Sequence, residues 1–262
     1  MVEFLRNNHA PYFESTEIPG ILLLGGNGAR LYPLTAAINK HLLPVYDKPM
    51  SLYAFDFLQE SGIRKIIAVT SPKDVDLFAK LFESNKQANT DVLYIVQDKP
   101  LGTAHAIKLG EKLVTGNNFF TLWGDNIFEY HLRSSVRQRL QGKCRLHLTQ
   151  VNNPQEFGVV EIDERGRIVS IEDKPRLPKS NIICTGFMGF SSEAFGLIGK
   201  IKPNVKGELD IMDVVRMAQA EKMLEYVFVK GSWIDAGVSF EALLAAAILA
   251  KEKGLNKTYG KT

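Results

Sequence analysis

The first half of the chain switches repeatedly between strand and helix periods. A short apolar run, Ile18–Leu24, stops at Gly25–Gly26–Asn27–Gly28, as a buried strand feeding a glycine-rich turn would. Met50–Glu60 sets Leu52, Phe55 and Leu58 at helical spacing and ends on Ser61–Gly62. Lys65–Thr70 reads as a strand, Asp74–Phe82 as a helix with Val75, Phe78 and Leu81 on one face, and Asp91–Val96 as a strand. Thr103–Val114 reads as a helix closed by Gly116, and Asn118–Trp123 as a strand ending on Gly124–Asp125–Asn126. Strand–helix alternation through short connections predicts an α/β fold with a mostly parallel sheet and helices on both faces. Ligands then sit beyond the carboxyl ends of the strands, so the Gly25 loop and Gly124–Asp125–Asn126 are expected on one edge.

Beyond about residue 141 the pattern becomes β-rich. Arg145–Val151, Gly158–Ile162, Arg167–Ile171 and Ile182–Phe190 are short strand-like pieces parted by polar turns. Helices are expected near Ser191–Gly199 and Leu209–Ala220, then a strand at Leu224–Val229 and a long Ala/Leu helix from about Ser239 to Lys253. With no internal repeat and no low-complexity linker, the reading is a loose extension over 1–17, one domain over 18–253 and a frayed tail over 254–262. The domain divides into an α/β first half (18–140), a β-rich second half (141–237) and a C-terminal helix (238–253).

Composition narrows the class. A chain of 262 residues, 45% hydrophobic and 23% charged, can build a full core. The net charge of +3 is too small to point to a nucleic-acid or membrane partner. Cys144 and Cys184 cannot form a disulfide framework and lack zinc-site spacing, so they read as reduced core thiols. The N-terminus lacks a basic region followed by an apolar run, and no stretch approaches the ~20 residues of a membrane span. A cytoplasmic location is the expectation.

The richest stretch is Gly25–Met50, GGNGARLYPLTAAINKHLLPVYDKPM. It is not a dinucleotide fingerprint, because Leu31 stands where the third glycine belongs, and it lacks the Gly-Lys-Ser/Thr of a Walker A loop. It still suits phosphate: glycines let backbone N–H groups approach an anion, Arg30 adds a fork-shaped cation and Lys40 a point charge.

The ordered set Gly-Gly-x-Gly-x-Arg-Leu-x-Pro-x-Thr, Lys-x-x-x-Pro and Asp-Lys-Pro-Met resembles the sugar-phosphate nucleotidyltransferases, and HLLPVYDKPM is similar to the short-form glucose-1-phosphate thymidylyltransferases. The likeness runs through Gln97, Leu101–Ala104, Gly124–Asn126, Phe157–Val159, Glu172–Pro175, Gly207–Leu209 and Trp233–Gly237. It implies a Rossmann-like sheet with a β-rich sugar-binding second lobe. It also implies transfer of a nucleotidyl group, from dTTP to glucose 1-phosphate, by attack of the sugar phosphate on the α-phosphorus. By resemblance, Gly25, Gly26 and Gly28 with Arg30 hold the triphosphate, Lys40 contacts the phosphates being rearranged, and Gln97 and Gly102 meet the base. Gly158, Asp173 and Lys174 bind the sugar phosphate, and Asp125 and Asp235 hold Mg²⁺. A UTP-dependent enzyme, a modified sugar, a catalytically silent nucleotide-sugar-binding protein and a homo-oligomer stay open.

Some positions depart from the family pattern: Ala29 for Thr, Phe157 for Tyr, Asp173 for Glu, Met188 for an aromatic and Val238 for Thr. Trp233 reads as packing, Glu208 as either a helix start or a sugar contact, and His41 and His105 as bystanders beside the site.

Overall fold

The computed structural model describes residues 4–5 and 18–255, except 115, 117, 141 and 143. The rest of the 1–17 extension and most of the 254–262 tail lie outside the described residues. In chain order the strands and helices of the first half are β1 (Phe4–Leu5), β2 (Pro19–Leu23), β3 (Pro44–Val45), β4 (Lys48–Pro49), α1 (Met50–Glu60), β5 (Lys65–Thr70), α2 (Val75–Glu83), β6 (Asp91–Val96), α3 (Thr103–Leu109), β7 (Asn118–Trp123), β8 (Asn126–Phe128) and α4 (Arg133–Arg137). The second half adds β9 (Cys144–Gln150), β10 (Gly158–Ile162), β11 (Ile168–Asp173), β12 (Ile182–Ser191), α5 (Ala194–Ile198), α6 (Ile211–Ala220), β13 (Leu224–Phe228), β14 (Trp233–Asp235) and α7 (Phe240–Lys253).

The main sheet runs β1-β6-β5-β2-β7-β12-β10-β11, parallel from β1 to β7 and antiparallel from β7 onward. The fold is thus mixed α/β with a mainly parallel central sheet flanked by helices, Rossmann-like. The second half does not close a sheet of its own, because ten-residue β12 pairs with β7, β9 and β10 and carries it onto the same sheet. Within residues 1–17, expected as a loose extension, Phe4–Leu5 add a parallel edge strand beside Tyr94–Ile95.

Continuous apolar strands mark a sheet covered on both sides. In β2, alternate side chains divide between two cores. Ile21 and Leu23 join Ile107, Phe195 and Val214 beneath α3, α5 and α6. Leu22 joins Phe55, Phe78 and Phe120 beneath α1 and α2. A third core seats α7, through Ala246 and Ala250, against Met50 and Tyr53 of α1.

Helix boundaries shift where local chemistry wins. The helix expected to reach Val114 is broken after Leu109 at Gly110, which lies close against Ile21 (a Cβ there would be 3.0 Å from Ile21 Cδ1), and continues only as a short 3-10 turn at Glu111–Leu113. The helix expected from Leu209 starts at Ile211, since Asp210 caps it by accepting from the Met212 N–H. Helix α5 is shorter than the Ser191–Gly199 expected. Strands β3, β4, β8 and β14 and helix α4 escape the sequence reading; at two to five residues none spans enough positions to show a period. No helix among the described residues is long and apolar enough to cross a membrane.

Candidate active site

Adjacent parallel strands β2 and β7, in register at Leu23 and Trp123, end together. The Gly25 loop leaves one and the Gly124–Asp125 turn the other, and the Gly124 N–H donates to Leu23 O at 2.9 Å. The chain turns at Asp125 into β8, which pairs antiparallel with β14, Asn126 opposite Asp235. The Ala236 N–H donates to Asp125 O at 2.9 Å. This three-residue ladder brings together two carboxylates that lie on either side of the whole β-rich insertion.

Asp125 is 3% exposed. Lys40 Nζ lies 2.5 Å from its Oδ2, and Asn126 Nδ2 donates to its Oδ1 at 3.1 Å. The Lys40 ammonium holds Asp125 down at about 2 against the cost of burial, while the carboxylates hold Lys40 above its ordinary value. Asp235 keeps a side toward a cavity; burial and then the neighbouring Asp125 charge push it up to about 7. Gly237 closes against the pair, where a Cβ would lie 2.4 Å from Asp125 Oδ2. Asn126 also ties the walls together: its Oδ1 accepts from the Gly186 N–H at 2.7 Å and from Trp233 Nε1 at 2.8 Å. His41 is buried behind Asp125, and burial followed by the Lys40 charge lowers it to about 4. Its Nε2 stands 3.9 Å from Asp125 Oδ2 and has no hydrogen-bond partner among the described residues.

Two cavities open on this edge. The first, about 260 Å³, is lined by Gly25, Gly26, Lys40, Gln97, Gly102 and Glu208. The second, about 190 Å³, is lined by Arg30, Gly158, Asp173, Lys174, Trp233 and Asp235. Thr103, Trp123 and Asp210 belong to both, so the two are contiguous. Gly28 lines neither; at φ 60° it caps the short turn of helix at Ala29–Leu31, and its carbonyl accepts from Thr35 Oγ1. Arg30, expected at the triphosphate, lies on the second cavity with its Nη1 3.9 Å from Glu156. Glu208 is neither the helix start, which Asp210 provides, nor a wall of the second cavity. Lys174 sits at φ +48° immediately after β11, its N–H bonded to Phe157 O. Trp233 packs edge-on to Phe157 and also lines the second cavity.

Sequence reasoning set His105 aside, yet its Nδ1 lies 2.9 Å from Gln97 Nε2. Its place in the first turn of α3, eight residues after Gln97, was the available signal. The sequence names Asn126 only as part of Gly124–Asp125–Asn126; its bonds to Gly186 and Trp233 emerge only when β8, β12 and β14 meet.

Lys40 is engaged with Asp125, and burial followed by the Asp125 charge keeps Asp235 above the ordinary carboxylate range. Two carboxylates with room for phosphate and water oxygens fit Mg²⁺, which accepts few protein ligands. Among the described residues no cluster of three or more His, Cys, Asp or Glu could cage a metal.

Over residues 19–253 the chain matches the family described as Nucleotidyl transferase. A glucose-1-phosphate thymidylyltransferase of Neisseria meningitidis is 39% identical over 235 residues, 87% of this chain and 81% of that one. A Bacillus anthracis crystal structure with bound sucrose, assigned as a glucose-1-phosphate thymidylyltransferase, has a TM-score of 0.83 at 35% identity, covering 90% of this chain and 96% of its own. A UDP-glucose pyrophosphorylase complexed with UDP-glucose has a TM-score of 0.78 at 25% identity over 90% of this chain and 99% of its own.

Proposed function

The chain belongs to the nucleotidyl transferase family and is a nucleotidyltransferase enzyme, and from that premise we propose that it transfers a thymidylyl group from dTTP to glucose 1-phosphate, releasing pyrophosphate. The observation that carries this reading is the pair of contiguous cavities, which share Thr103, Trp123 and Asp210, with Lys40 on the wall of the first, Asp235 on the wall of the second and Asp125 bonded to Lys40. One is floored by glycine backbone and the other ends on a lysine, as two anionic substrates aligned for in-line attack require.

In this reading Gly25 and Gly26 cradle the triphosphate and Gln97 and Gly102 meet the base. Lys174 grips the sugar phosphate, and Asp173 and the Gly158 backbone meet the sugar. Arg30, on the sugar side, faces the phosphates from across the join and offsets the charge gathered there. Lys40 moves between Asp125 and the phosphates. Asp125 and Asp235 would hold Mg²⁺, which supplies charge neutralisation and a template for phosphate oxygens when bound. No covalent nucleophile is needed. A cytoplasmic location fits a reaction on soluble phosphates.

A second reading changes the sugar or the base. Phe157, Asp173, Met188 and Val238, four of the departures from the family pattern, all line the second cavity. That clustering favours a modified hexose 1-phosphate. UTP shares the base edge of dTTP apart from one methyl group, so discrimination between them is expected at about 10–200-fold. Pyrophosphate release across a grid of nucleoside triphosphates and sugar 1-phosphates decides among these; equal use of ATP and dTTP would sink the pyrimidine reading. Lys174→Ala should raise KM for the sugar phosphate and leave KM for the nucleotide nearly unchanged.

A further inference from the structure

The side-chain amide of Gln97 can be oriented without ambiguity. One of its polar atoms lies 3.2 Å from the Gly102 carbonyl oxygen, which can only accept, so that atom is Nε2. Gly102 O cannot swing away easily. The Gly102 backbone is wedged against Leu209, whose N–H donates to Leu101 O at 2.8 Å and whose carbonyl accepts from the Ala104 N–H at 2.9 Å. The same Nε2 lies 2.9 Å from His105 Nδ1. With Nε2 the donor, Nδ1 must be the acceptor, which requires the neutral ring with its proton on Nε2. Partial burial lowers His105 below its ordinary value, in keeping with a neutral ring. Both amide protons of Gln97 are then committed within the protein. What remains is Oε1, which lies over Gly25 on the wall of the first cavity.

We propose that His105 is a specificity-determining positioning residue that locks Gln97 so that only an acceptor faces the nucleotide. An acceptor there suits thymine and uracil, whose N3 carries a hydrogen, and opposes cytosine, whose N3 carries a lone pair. This inference rests on the reading of Gln97 as the group that meets the base. Without His105, one amide proton is free, and the amide can turn to present it to cytosine N3.

The test uses the full chain and the ratio of kcat/KM for dTTP over CTP, repeated with UTP over CTP. In His105→Asn, Oδ1 hangs from Cγ as Nδ1 does and keeps the acceptor; His105→Leu keeps the branched shape and loses it. The ratio should hold in His105→Asn and fall about tenfold in His105→Leu, the size of one neutral hydrogen bond. His105→Lys, which offers only donors, gives the same readout if the Leu variant does not fold. KM for the sugar phosphate should stay put in all three. A packing role would move Asn and Leu together, and that result overturns the proposal. An unchanged ratio in His105→Leu with a collapsed ratio in Gln97→Ala overturns it too. A ratio unmoved in Gln97→Ala refutes instead the reading of Gln97 on which it rests.

Discussion

Asp125 is held below the ordinary carboxylate range and Asp235 above it, although both are the same residue type at the end of a short strand ladder. The difference is placement: both are buried, but Lys40 reaches Asp125, whereas Asp235 is raised by burial and then by its neighbour's charge. Such a pair costs free energy as it stands and is relieved by a cation or by proton uptake. Replacing either aspartate by Asn keeps the shape and removes one charge. We expect each change to lower kcat on the order of 10²-fold, the loss typical of one preorganised electrostatic group. A chelator should abolish pyrophosphate release and Mg²⁺ should restore it. Full activity in either Asn variant under saturating substrates would show that the carboxylates are not the cation's ligands.

Among the elements, the decisive joints are short. The β8–β14 ladder spans three residue pairs and sets the carboxylates side by side. The clasp of Leu101–Ala104 on Leu209 joins the two cavities across more than a hundred residues. Gly102 makes that clasp possible: at φ +96° a Cβ would lie 2.4 Å from Leu209 O and 2.7 Å from Leu209 N. Gly207, nearby at φ +78°, has nothing within 4 Å of its Cβ position. Gly207→Ala should therefore cost only backbone strain, about 1 kcal/mol, whereas Gly102→Ala adds a backbone collision and should cost more than about 2 kcal/mol. Urea denaturation measures both, and nucleotide binding should weaken only in Gly102→Ala. Equal costs would mean the clasp gives way freely.

The molecule as a whole stores its acid sensitivity in buried polar groups. His147 on β9 is fully buried, donating from Nδ1 to Phe187 O and accepting at Nε2 from Ser135 Oγ. Burial lowers it to about 3. As pH falls below about 6.5, the unfolded chain takes up this proton and the folded one refuses it. Stability contributed by this site is complete above pH 6.5 and is lost on acidification down to about 3, at up to about 1.4 kcal/mol per pH unit. The slope of unfolding free energy against pH between 6 and 4 should fall by about one proton in His147→Asn. No change in slope would mean that the ring is already protonated in the fold.

Much of this was legible in residues 18–123, because mostly apolar strands of five or six residues and helices of seven to eleven carry their own period. The Gly25 loop, Lys40, Asp125, Asp173, Lys174 and Asp235 could be picked out by residue type, order and likeness to a family. Nothing local marked β8 or β14, since three residues are too few to show alternation. Their pairing comes from contacts between segments about a hundred residues apart. The roles of Asn126 and His105 are hydrogen-bond partnerships, and a sequence lists donors and acceptors without saying which ones meet. The assignment of Arg30 to one cavity rather than the other has the same origin. Order and chemistry of the parts lay in the sequence, while the distances that turn two aspartates into a coupled pair, and a histidine into a lock on a glutamine, arise only when the sheet's carboxyl edge brings distant loops together.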